Sequence, residues 1–499
     1  MKTPLLYFIL ILLIAGDATS QGYEWALTAN KQFRPYAVAI REDHFGNLFL
    51  ASITDTLNHR MYSEIELRDS HQQIVWQKRI TGNISLADME ITDNNHAIVV
   101  GYFQDSISID NFNFNNNSGA NTGLIFEMDN TGSVIWVHEI NPVNGEFKPL
   151  DLFLSKNGLM YLTSDLNGGG SGSCAFHKLD NQGNIVQNKF PTFSSGIRTI
   201  SHIIADTLGN IFVSGTCSSF ATFDTISSNP DFAYQNFLVK YNNSFIAEWF
   251  VSKNYITFDN NNKLGTDGQQ MFWAYNEMPD VNGDTVKVSK VEWNGTISSS
   301  FIGPLALSFF PGIDFSVDSS GNSILALEVF SRIFLYRFDP SFNLIWEDTL
   351  LTSNSGSPHY SGLIAYDSSF YLAAAYSTDS LVLDNFLLVN PNLLSLSASD
   401  LFICKWGYNQ ITTEIPSTEF SDVFALYPNP TMNHLYFRNS QSKQIEFDDI
   451  SIHDNSGRQL MHIHHPSTDY IDISDLKSGI YLLRYSANNK FFVRKFVKQ

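Results

Sequence analysis

Three oxygen-bearing side chains at alternate positions, Asp280, Asn282 and Asp284, are the first candidates for a metal site in this sequence. Carboxylate and amide oxygens at positions 1, 3 and 5 of a loop are typical calcium ligands. Here the glycine follows Asn282 rather than Asp284, and no glutamate stands where such a loop needs its bidentate ligand. Polar turn residues are therefore the simpler interpretation, and calcium is the one cofactor that the pattern leaves open.

Two other short motifs contain residue types that could do chemistry. In HIHH, a strand would place His462 and His464 on one face, but no clear third metal ligand accompanies them. The run GGGSGS at 168–173 is followed by no helix signal, so we interpret it as a loop rather than a phosphate site. HExxH, GxSxG and Walker motifs are absent from the sequence. The sequence thus offers no catalytic or cofactor-binding residue, and it favours a non-enzyme without deciding the question.

A triplet of aspartate, serine or threonine, and an apolar residue recurs along the chain. It resembles the O-glycosylation acceptor of Bacteroidota, which implies glycans at Thr56, Ser106, Thr207, Thr225, Thr285, Thr349 and Ser380. Any hairpin-rich chain produces the same triplet, because aspartate favours turns and threonine favours strands. Both interpretations stay open.

The chain combines a large apolar content with an uneven acidic charge. Of its 499 residues, 43% are hydrophobic and 16% are charged, so a large core can form over several domains. The formal charge is -20; residues 423–499 hold 9 Lys/Arg and 7 Asp/Glu, so they carry +2 and the remainder carries -22. This acidity argues against nucleic acid or an anionic membrane surface as a partner. The three cysteines, Cys174, Cys217 and Cys404, are too few for a disulfide framework, and we expect buried apolar side chains, although one pair could form.

The first 20 residues have the features of a signal peptide. Lys2 precedes an apolar run from Leu5 to Ile14 that is short for a membrane span, and small residues precede Gln21. An N-terminal membrane anchor is the alternative. No cysteine follows the run, so a lipoprotein is not expected, and no second long apolar stretch exists, so we expect no transmembrane segment in the mature protein.

Residues 30–408 contain a repeat of short apolar strands separated by polar turns. The residues that follow the turns are spaced 47 to 62 apart: Leu48, Ala97, Leu159, Ile211, Gln269, Ser323 and Phe370. A second strand pair follows in each of the first six units, as in EIELRDSHQQIVWQKRI at 64–80. Four strands per roughly 50 residues is typical of a β-propeller blade.

The last unit lacks a clear fourth strand, and the N-terminal segment YEWALTA at 23–29 can supply it. Its Trp25 matches Trp76, Trp136 and Trp346 at the corresponding place in three units. Pairing of this segment with the last unit would close the ring. We therefore predict an all-β protein with a seven-bladed β-propeller over residues 21–408, closed by an N-terminal strand; a pair of large β-sandwiches is the alternative. The repeats loosely resemble the propeller-like repeats of secreted bacterial proteins, although units three and five lack the tryptophan.

A second module follows a polar linker at 409–422. It occupies residues 423–499 and opens with FALYPNPTMNHLYF, in which the prolines favour a turn before a strand. Further turns at Asn455-Ser456-Gly457, Ser478-Gly479 and Asn488-Asn489 separate short strands. Six or seven strands in this length predict a small immunoglobulin-like β-sandwich.

This module closely resembles the C-terminal sorting domain of type IX secretion cargo in Bacteroidota. The segments YPNP, ISIHDNSGRQL, IDISDLKSGIYLLRY and FFVRKFVKQ occur in the family's order over 424–499. The resemblance implies passage through the periplasm, recognition by the type IX secretion machinery and delivery to the cell surface, with removal of the tail and attachment to surface lipopolysaccharide as a common outcome. The positions that carry the motif are Pro428, Asn429, Pro430, Gly457, Leu476, Gly479, Tyr481 and Lys498.

These observations give two main functional hypotheses, beside a third in which the propeller only spaces or shields other surface components. The first is a secreted or surface-displayed binding or adhesion protein whose ligand, a glycan or a protein, the sequence does not identify. The second is a secreted hydrolase of polysaccharide or peptide with its site at the propeller axis. Carboxylates are plentiful, but the distance between two of them, which glycoside hydrolysis requires, cannot be read from the repeat.

Overall fold

A computed structural model describes most of the chain. The described residues are 20–29, 34–55, 61–116, 118–141, 145–166, 173–194, 196, 198–218, 220–228, 234–255, 262–280, 283–305, 312–329, 331–352, 361–366, 369–390, 399–409, 425–428, 430–438, 449–453, 459–464, 470–487 and 490–499. The chain divides into two compact units, one spanning Ala18–Gln410 and the other containing Ile411–Gln499. Apart from Ser20, the predicted signal peptide lies outside the described residues.

Every regular element in the described ranges is a β-strand, and none of them is a helix able to cross a membrane. The first strands of the larger unit are β1 (Ser20–Thr28), β2 (Arg34–Glu42), β3 (Leu48–Asp55), β4 (Met61–Arg68), β5 (Ile74–Ile91), β6 (Ala97–Ile109), β7 (Phe112–Asn116), β8 (Thr122–Met128), β9 (Val134–Ile140), β10 (Lys148–Leu154), β11 (Met160–Asp165), β12 (Cys174–Leu179), β13 (Ile185–Lys189), β14 (Thr192–Phe193), β15 (Arg198–Ala205), β16 (Ile211–Cys217), β17 (Ala221–Phe223), β18 (Ile226–Ser227), β19 (Tyr234–Tyr241) and β20 (Ala247–Tyr255). The remaining strands of this unit are β21 (Lys263–Thr266), β22 (Met271–Asp280), β23 (Gly283–Val291), β24 (Ile297–Leu305), β25 (Gly312–Val317), β26 (Ser323–Val329), β27 (Arg332–Phe338), β28 (Leu344–Leu351), β29 (Ser361–Tyr366), β30 (Ser369–Tyr376), β31 (Ser380–Leu383), β32 (Phe386–Val389) and β33 (Asp400–Asn409).

The strands pair into repeated four-stranded antiparallel sheets, as the repeat predicted. Their orders are β2-β3-β4-β5, β5-β6-β8-β9, β10-β11-β12-β13, β15-β16-β19-β20, β21-β22-β23-β24, β25-β26-β27-β28 and β29-β30-β33-β1. The long strand β5 belongs to the first two sheets, because its first half pairs with β4 and its second half with β6. The second strand of each sheet is almost fully buried, because each sheet is covered on both faces. In β16, for example, every residue is buried.

The first strands of these sheets contact one another in a closed cycle. In the order β2, β5, β10, β15, β21, β25 and β29, each strand contacts the next, and β29 contacts β2. This radial arrangement of sheets around a common axis is a β-propeller.

Strand β1 closes the cycle by pairing with β33. Ser20 lies opposite Asn409 and Trp25 lies opposite Lys405, as expected from the tryptophan pattern. The backbone N–H of Tyr23 donates to Asp384 Oδ2 at 2.9 Å, and its hydroxyl donates to Asp348 Oδ2 at 2.8 Å. Asp348 lies on β28 of the neighbouring sheet, so Tyr23 connects the closing strand with two other elements.

Three of the repeated tryptophans pack against glycines of the following sheet. Trp76, at the outer strand of the first sheet, covers Gly132, and a Cβ on this glycine would lie 2.9 Å from the indole Cδ2. Trp136 covers Gly183 and Trp249 covers Gly295 in the same way. Each of these glycines also has a positive φ, which a tight turn requires. The turn glycine therefore serves two purposes, since it forms the turn and admits the neighbouring ring.

The smaller unit contains two short antiparallel sheets. Its strands are β34 (Ala425–Tyr427), β35 (His434–Arg438), β36 (Asp449–His453), β37 (Gln459–His464), β38 (Tyr470–Asp472), β39 (Gly479–Ala487) and β40 (Lys490–Lys498). The sheet orders are β34-β35-β38 and β37-β36-β39-β40. Residues from both sheets form one buried cluster that includes Leu435, Ile452, Ile471, Leu483 and Phe496.

Candidate functional site

The first strands of the propeller place charged side chains around a common axis. Four of these side chains occupy equivalent places, because each lies in the first strand of its sheet opposite the fourth residue of the second strand. The pairs are Asp88 with Val100, Asp151 with Thr163, His202 with Ser214, and Asp314 with Ala326. Lys263, Gly362 and Ala39 hold this place in the other first strands, opposite Ala274, Ala373 and Ala51.

All of these first-strand residues except Ala39 line a cavity of about 330 Å³, which we call the axial chamber. Its polar lining is contributed by Arg41, Asp88, Glu90, Asp151, His202, Lys263 and Asp314. A cavity of this size lies at the lower end of the range of about 300–1,000 Å³ that is usual for ligand pockets. The chamber is therefore the candidate functional site of the propeller.

Two carboxylates of the chamber bind the backbone of the next sheet. The N–H of Leu152 donates to Asp88 Oδ2 at 3.0 Å, and the N–H of Ile203 donates to Asp151 Oδ2 at 2.8 Å. The other oxygens are also engaged, because Asp88 Oδ1 accepts from Met89 N and Asp151 Oδ1 lies 3.1 Å from His202 Nδ1. Asp88 and Asp151 therefore join neighbouring sheets, and little of their bonding capacity remains for a ligand.

Arg41 fills the side of the chamber where the ring residues are smallest. A Cβ added to Gly362 would lie 3.3 Å from Ile40 N, so this strand passes close to β2. The guanidinium donates to Asp88 at 3.1 Å, to Glu90 Oε1 at 2.9 and 3.2 Å, and to Ile40 O at 3.0 Å. All three guanidinium nitrogens are thus bonded.

Burial and crowding of carboxylates shift the pKa values of this cluster. Burial raises the pKa of Glu90 to about 7; Arg41 opposes the rise, and the charge of Asp88 adds to it. Burial also raises the pKa of Asp88, against the effect of Arg41. The pKa of Arg41 is lowered by burial but raised more by Glu90 and Asp88, so the guanidinium stays charged. The chamber therefore contains a carboxyl group that can gain or lose a proton near neutral pH.

The opposite side of the chamber contains the ammonium group of Lys263. Lys263 Nζ lies 3.7 Å from Asp314 Oδ1, and it makes no hydrogen bond to the residues that the structure describes. Asp314 Oδ1 accepts from Phe315 N at 3.0 Å. Lys263, which is 31% exposed, is therefore available to a ligand.

A second cavity adjoins the chamber at the turns that join first and second strands. It measures about 420 Å³ and shares the lining residues Phe153 and Thr266 with the chamber. Lys156, Asp206 and Asp267 also line it. We call it the turn-side cavity.

The side chains of the three predicted calcium ligands lie outside the described residues. Asp280 ends β22 and Asp284 lies in β23, but their side chains and the whole of Asn282 lie outside the described residues. Among the side chains that are described, no three His, Cys, Asp or Glu residues form a group suited to a metal ion.

The candidate glycosylation residues differ in exposure. Ser106, Thr207, Thr225, Thr349 and Ser380 are exposed, whereas Thr56 lies outside the described residues. Thr285 is 3% exposed and its hydroxyl donates to Glu277 O at 3.2 Å. A glycan on Thr285 would require this hydroxyl to leave the core.

The predicted sorting residues lie close to the end of the chain within the smaller unit. Pro428 and Pro430 are exposed in the opening turn, and the next residue, Thr431, pairs with Lys498. Thr431 N donates to Val497 O and Gln499 N donates to Thr431 O, both at 2.9 Å. The opening turn therefore holds the last residues of the chain.

The other sorting positions contribute to the packing of the same unit. Tyr481 is buried, stacks on Phe496 with 5.6 Å between ring centroids, and donates its hydroxyl to Lys477 O at 2.7 Å. Leu476 packs against the buried cluster and Gly479 begins β39. Asn429 and Gly457 lie outside the described residues.

A family model identifies this unit. Residues 425–499 match the model described as the secretion system C-terminal sorting domain. The tail is a type IX secretion sorting domain. This confirms the prediction made from the YPNP segment and the segments that follow it, and it means that the protein is exported to be secreted or displayed at the cell surface.

The larger unit has only distant similarities. No curated protein matches the chain. Similar solved structures include the β-propeller domain of the Trilobed protease from Pyrococcus furiosus, at 8% identity over 71% of this chain and 94% of that one, with a TM-score of 0.42. The polysaccharide lyase Uly1 is 10% identical over 78% and 99%, with a TM-score of 0.46. Prolyl oligopeptidase B from Galerina marginata is 11% identical over 68% of this chain and 47% of that one, with a TM-score of 0.38. At these TM-scores, no functional argument rests on any of them.

The sequence reasoning did not identify the residues of the axial chamber. A signal was present, because Asp88, Asp151, His202 and Asp314 each stand seven residues before the residue with positive φ in the following turn. The turns were recognised, but the polar residue at this fixed offset inside an apolar strand was not.

Proposed function

We propose that the mature protein is a seven-bladed β-propeller over residues 21–408, joined by a linker at 409–422 to an immunoglobulin-like sorting domain at 423–499. The closed cycle of first-strand contacts supports the blade count. The shared core of the two tail sheets supports the sandwich. Removal of residues 1–20 as a signal peptide would deliver the chain to the periplasm, before its tail engages the secretion machinery.

The propeller is a binding protein rather than an enzyme. The observation that carries this proposal is the engagement of Asp88 and Asp151: both oxygens of each carboxylate bind neighbouring protein groups, so neither is poised for acid–base or nucleophilic chemistry. The remaining groups of the axial chamber suit recognition by hydrogen bonds.

Binding and turnover can be measured on the same material. Purified mature protein is incubated with polysaccharides and with unfolded polypeptides, and the bound fraction and the soluble products are followed over hours. We expect retention on at least one polymer without release of shorter products. Steady release of products would overturn the proposal.

One observation favours a hydrolase as the second candidate. A pKa of about 7 suits Glu90 for general acid catalysis, which needs a carboxyl group that is protonated near neutral pH. If hydrolysis is detected, Glu90→Gln should lower its rate by about 10²-fold or more and remove the corresponding pH dependence. An unchanged rate would exclude Glu90 from the reaction.

Processing at the cell surface is also proposed. We infer removal of the tail with attachment to lipopolysaccharide, and glycans on the exposed Asp-Ser/Thr positions, from the family resemblances and the exposure of those hydroxyls. The intact mass of native protein tests both: a mass that matches residues 21–499 without an addition would exclude both modifications.

A further inference from the structure

The axial chamber offers hydrogen-bond donors and acceptors that no described residue of the chain engages. Lys263 Nζ makes no hydrogen bond to the described residues, and its nearest carboxylate oxygen is Asp314 Oδ1 at 3.7 Å. Glu90 accepts from Arg41 through Oε1 alone, and the side chain is 26% exposed. We propose that the axial chamber and the turn-side cavity bind an uncharged oligosaccharide, with Lys263 and Asp314 as its hydrogen-bonding residues. This inference rests on the proposed binding function and names the ligand class.

The charges of the chamber disfavour an ionic ligand. Four carboxyl groups, Asp88, Glu90, Asp151 and Asp314, face only two cationic side chains, Arg41 and Lys263. An anionic ligand would meet an excess of like charge, which opposes binding. A cationic ligand would be repelled by the ammonium of Lys263. Asp88 and Asp151 would attract it only weakly, because both are already bonded to backbone N–H groups. Hydroxyl groups both donate and accept, so a sugar can satisfy Lys263 and Asp314 together.

The two adjoining cavities together give room for a ligand longer than one sugar. The two cavities, of about 330 and 420 Å³, share a wall formed by Phe153 and Thr266. Phe153 is only partly buried, so its ring can contact the apolar face of a sugar. The lining thus combines an aromatic surface with a few convergent polar groups, as expected for a small-molecule site.

The test uses the full mature chain and neutral cello-, manno- and xylo-hexaoses as probes, measured by isothermal titration calorimetry. Hexa-galacturonate and hexa-lysine serve as anionic and cationic probes. Lys263→Met and Asp314→Asn remove the proposed contacts, and the amide oxygen of the second variant can still accept from Phe315 N. Lys253→Met is the matched control, because Lys253 lies 3.8 Å from Glu277 and is 30% exposed, outside the chamber.

We expect at least one neutral hexaose to bind, with affinity at least tenfold weaker in Lys263→Met and Asp314→Asn and within twofold of the natural protein in Lys253→Met. Thermal unfolding of each variant shows whether it is folded. Binding that all three variants retain would overturn the assigned site but leave the binding function standing. Binding of only hexa-galacturonate or only hexa-lysine would overturn the ligand class. If a hexaose is hydrolysed and the hydrolysis is slower in Lys263→Met, the assigned site stands and the non-enzymatic function is rejected. If no probe binds, both the assigned site and the binding function are rejected.

Discussion

At the residue scale, the chamber shows how one fold uses similar carboxyl groups differently. Asp88 and Asp151 accept backbone N–H groups from the next sheet, which holds both side chains in place. Glu90 lies two residues after Asp88 on the same strand face and has only Arg41 as its bonded partner among the described residues. Burial raises the pKa of Glu90 to about 7, so its protonation varies near neutral pH.

The raised pKa of Glu90 predicts that this residue makes the protein less stable as the pH rises. The unfolded chain loses this proton near pH 4.3, whereas the folded chain keeps it until about pH 7, so the destabilisation grows between these values and is constant above them. The full effect is on the order of 3 kcal/mol for a shift of this size. The ionisable side chains that line the chamber around it are Arg41, Asp88, Asp151, His202, Lys263 and Asp314.

The measurement compares urea unfolding midpoints of natural protein and Glu90→Gln from pH 4.5 to 8. We expect the two midpoints to be similar near pH 4.5 and the glutamine variant to be more resistant at pH 8. Glu347→Gln, at an exposed position on β28, is the control and should show no such trend. A pH-independent difference for Glu90→Gln would contradict the prediction.

At the element scale, the presence of a tryptophan on an outer strand is related to the residue in the facing turn of the next sheet. Three sheets with an outer-strand tryptophan are followed by a turn glycine that lies against the ring, as with Trp76 and Gly132. Units three and five, which lack the tryptophan, carry Gln187 and Ser299 at its place. The turns that follow them hold Phe245 and Phe342 instead of glycine, at φ values of 62° and 64°.

These phenylalanines supply the missing aromatic contact from the opposite side of the interface. Phe245 stacks on Phe176 at 5.4 Å between ring centroids, and Phe342 lies 5.5 Å from Phe272, each in a sheet that lacks the outer-strand tryptophan. These five interfaces therefore each receive one large ring, either from the outer strand or from the facing turn. The irregularity of the sequence repeat thus has a packing reason.

Gly132→Ala should destabilise the protein more than Gly158→Ala. Both glycines have similar φ values, +81° and +78°, so each substitution costs about 1–2 kcal/mol for the left-handed backbone. Only at Gly132 would the new Cβ also meet the Trp76 ring, at 2.9 Å, whereas no atom lies within 4 Å at Gly158. We expect a further loss of about 1–3 kcal/mol from overpacking, measured by thermal or urea unfolding.

The double variant Trp76→Ala/Gly132→Ala isolates the contact. If the ring causes the extra loss, Gly132→Ala in the Trp76→Ala background should be no more harmful than Gly158→Ala. An undiminished penalty in that background would show that the ring is not responsible.

At the scale of the whole propeller, stability depends on one strand from the start of the chain. Strand β1 pairs with β33 from Ser20 to Thr28, and without it β33 would present an open edge. Tyr23 adds bonds to Asp348 and Asp384, which come from two different elements. Closure therefore joins residues separated by more than 300 positions.

Removal of residues 21–28 from the mature chain should lower the thermal unfolding temperature and promote aggregation, because the edge of β33 is then exposed. A permuted chain that carries residues 20–28 directly after Asn409, through a linker of two to four residues, should restore both properties. Such a linker is short enough because Ser20 lies opposite Asn409 in an antiparallel pair. Unfolding and light scattering measure the outcome; a truncated chain as stable as the natural one would refute the role of β1.

Local signals in the sequence determined the strands, the turns and the export address. Each apolar run of the repeat is a strand because its residues alternate or stay apolar over four to eight positions, and each Gly or Asn turn admits positive φ. The closing strand was predictable because Trp25 shares its context with three other tryptophans, and the sorting domain because its segments keep their order over 425–499. These features depend on neighbours in the chain.

The tertiary structure alone decided which distant residues meet. The chamber gathers Arg41, Asp88, Asp151, Lys263 and Asp314 from strands that are far apart in sequence, and only the radial packing of the sheets brings them together. The pKa of Glu90 likewise depends on burial and on charges from other strands, which no single segment of the sequence contains. The pairing of Thr431 with Lys498 is of the same kind, since the opening turn of the tail meets the end of the chain only after the sheets between them have formed.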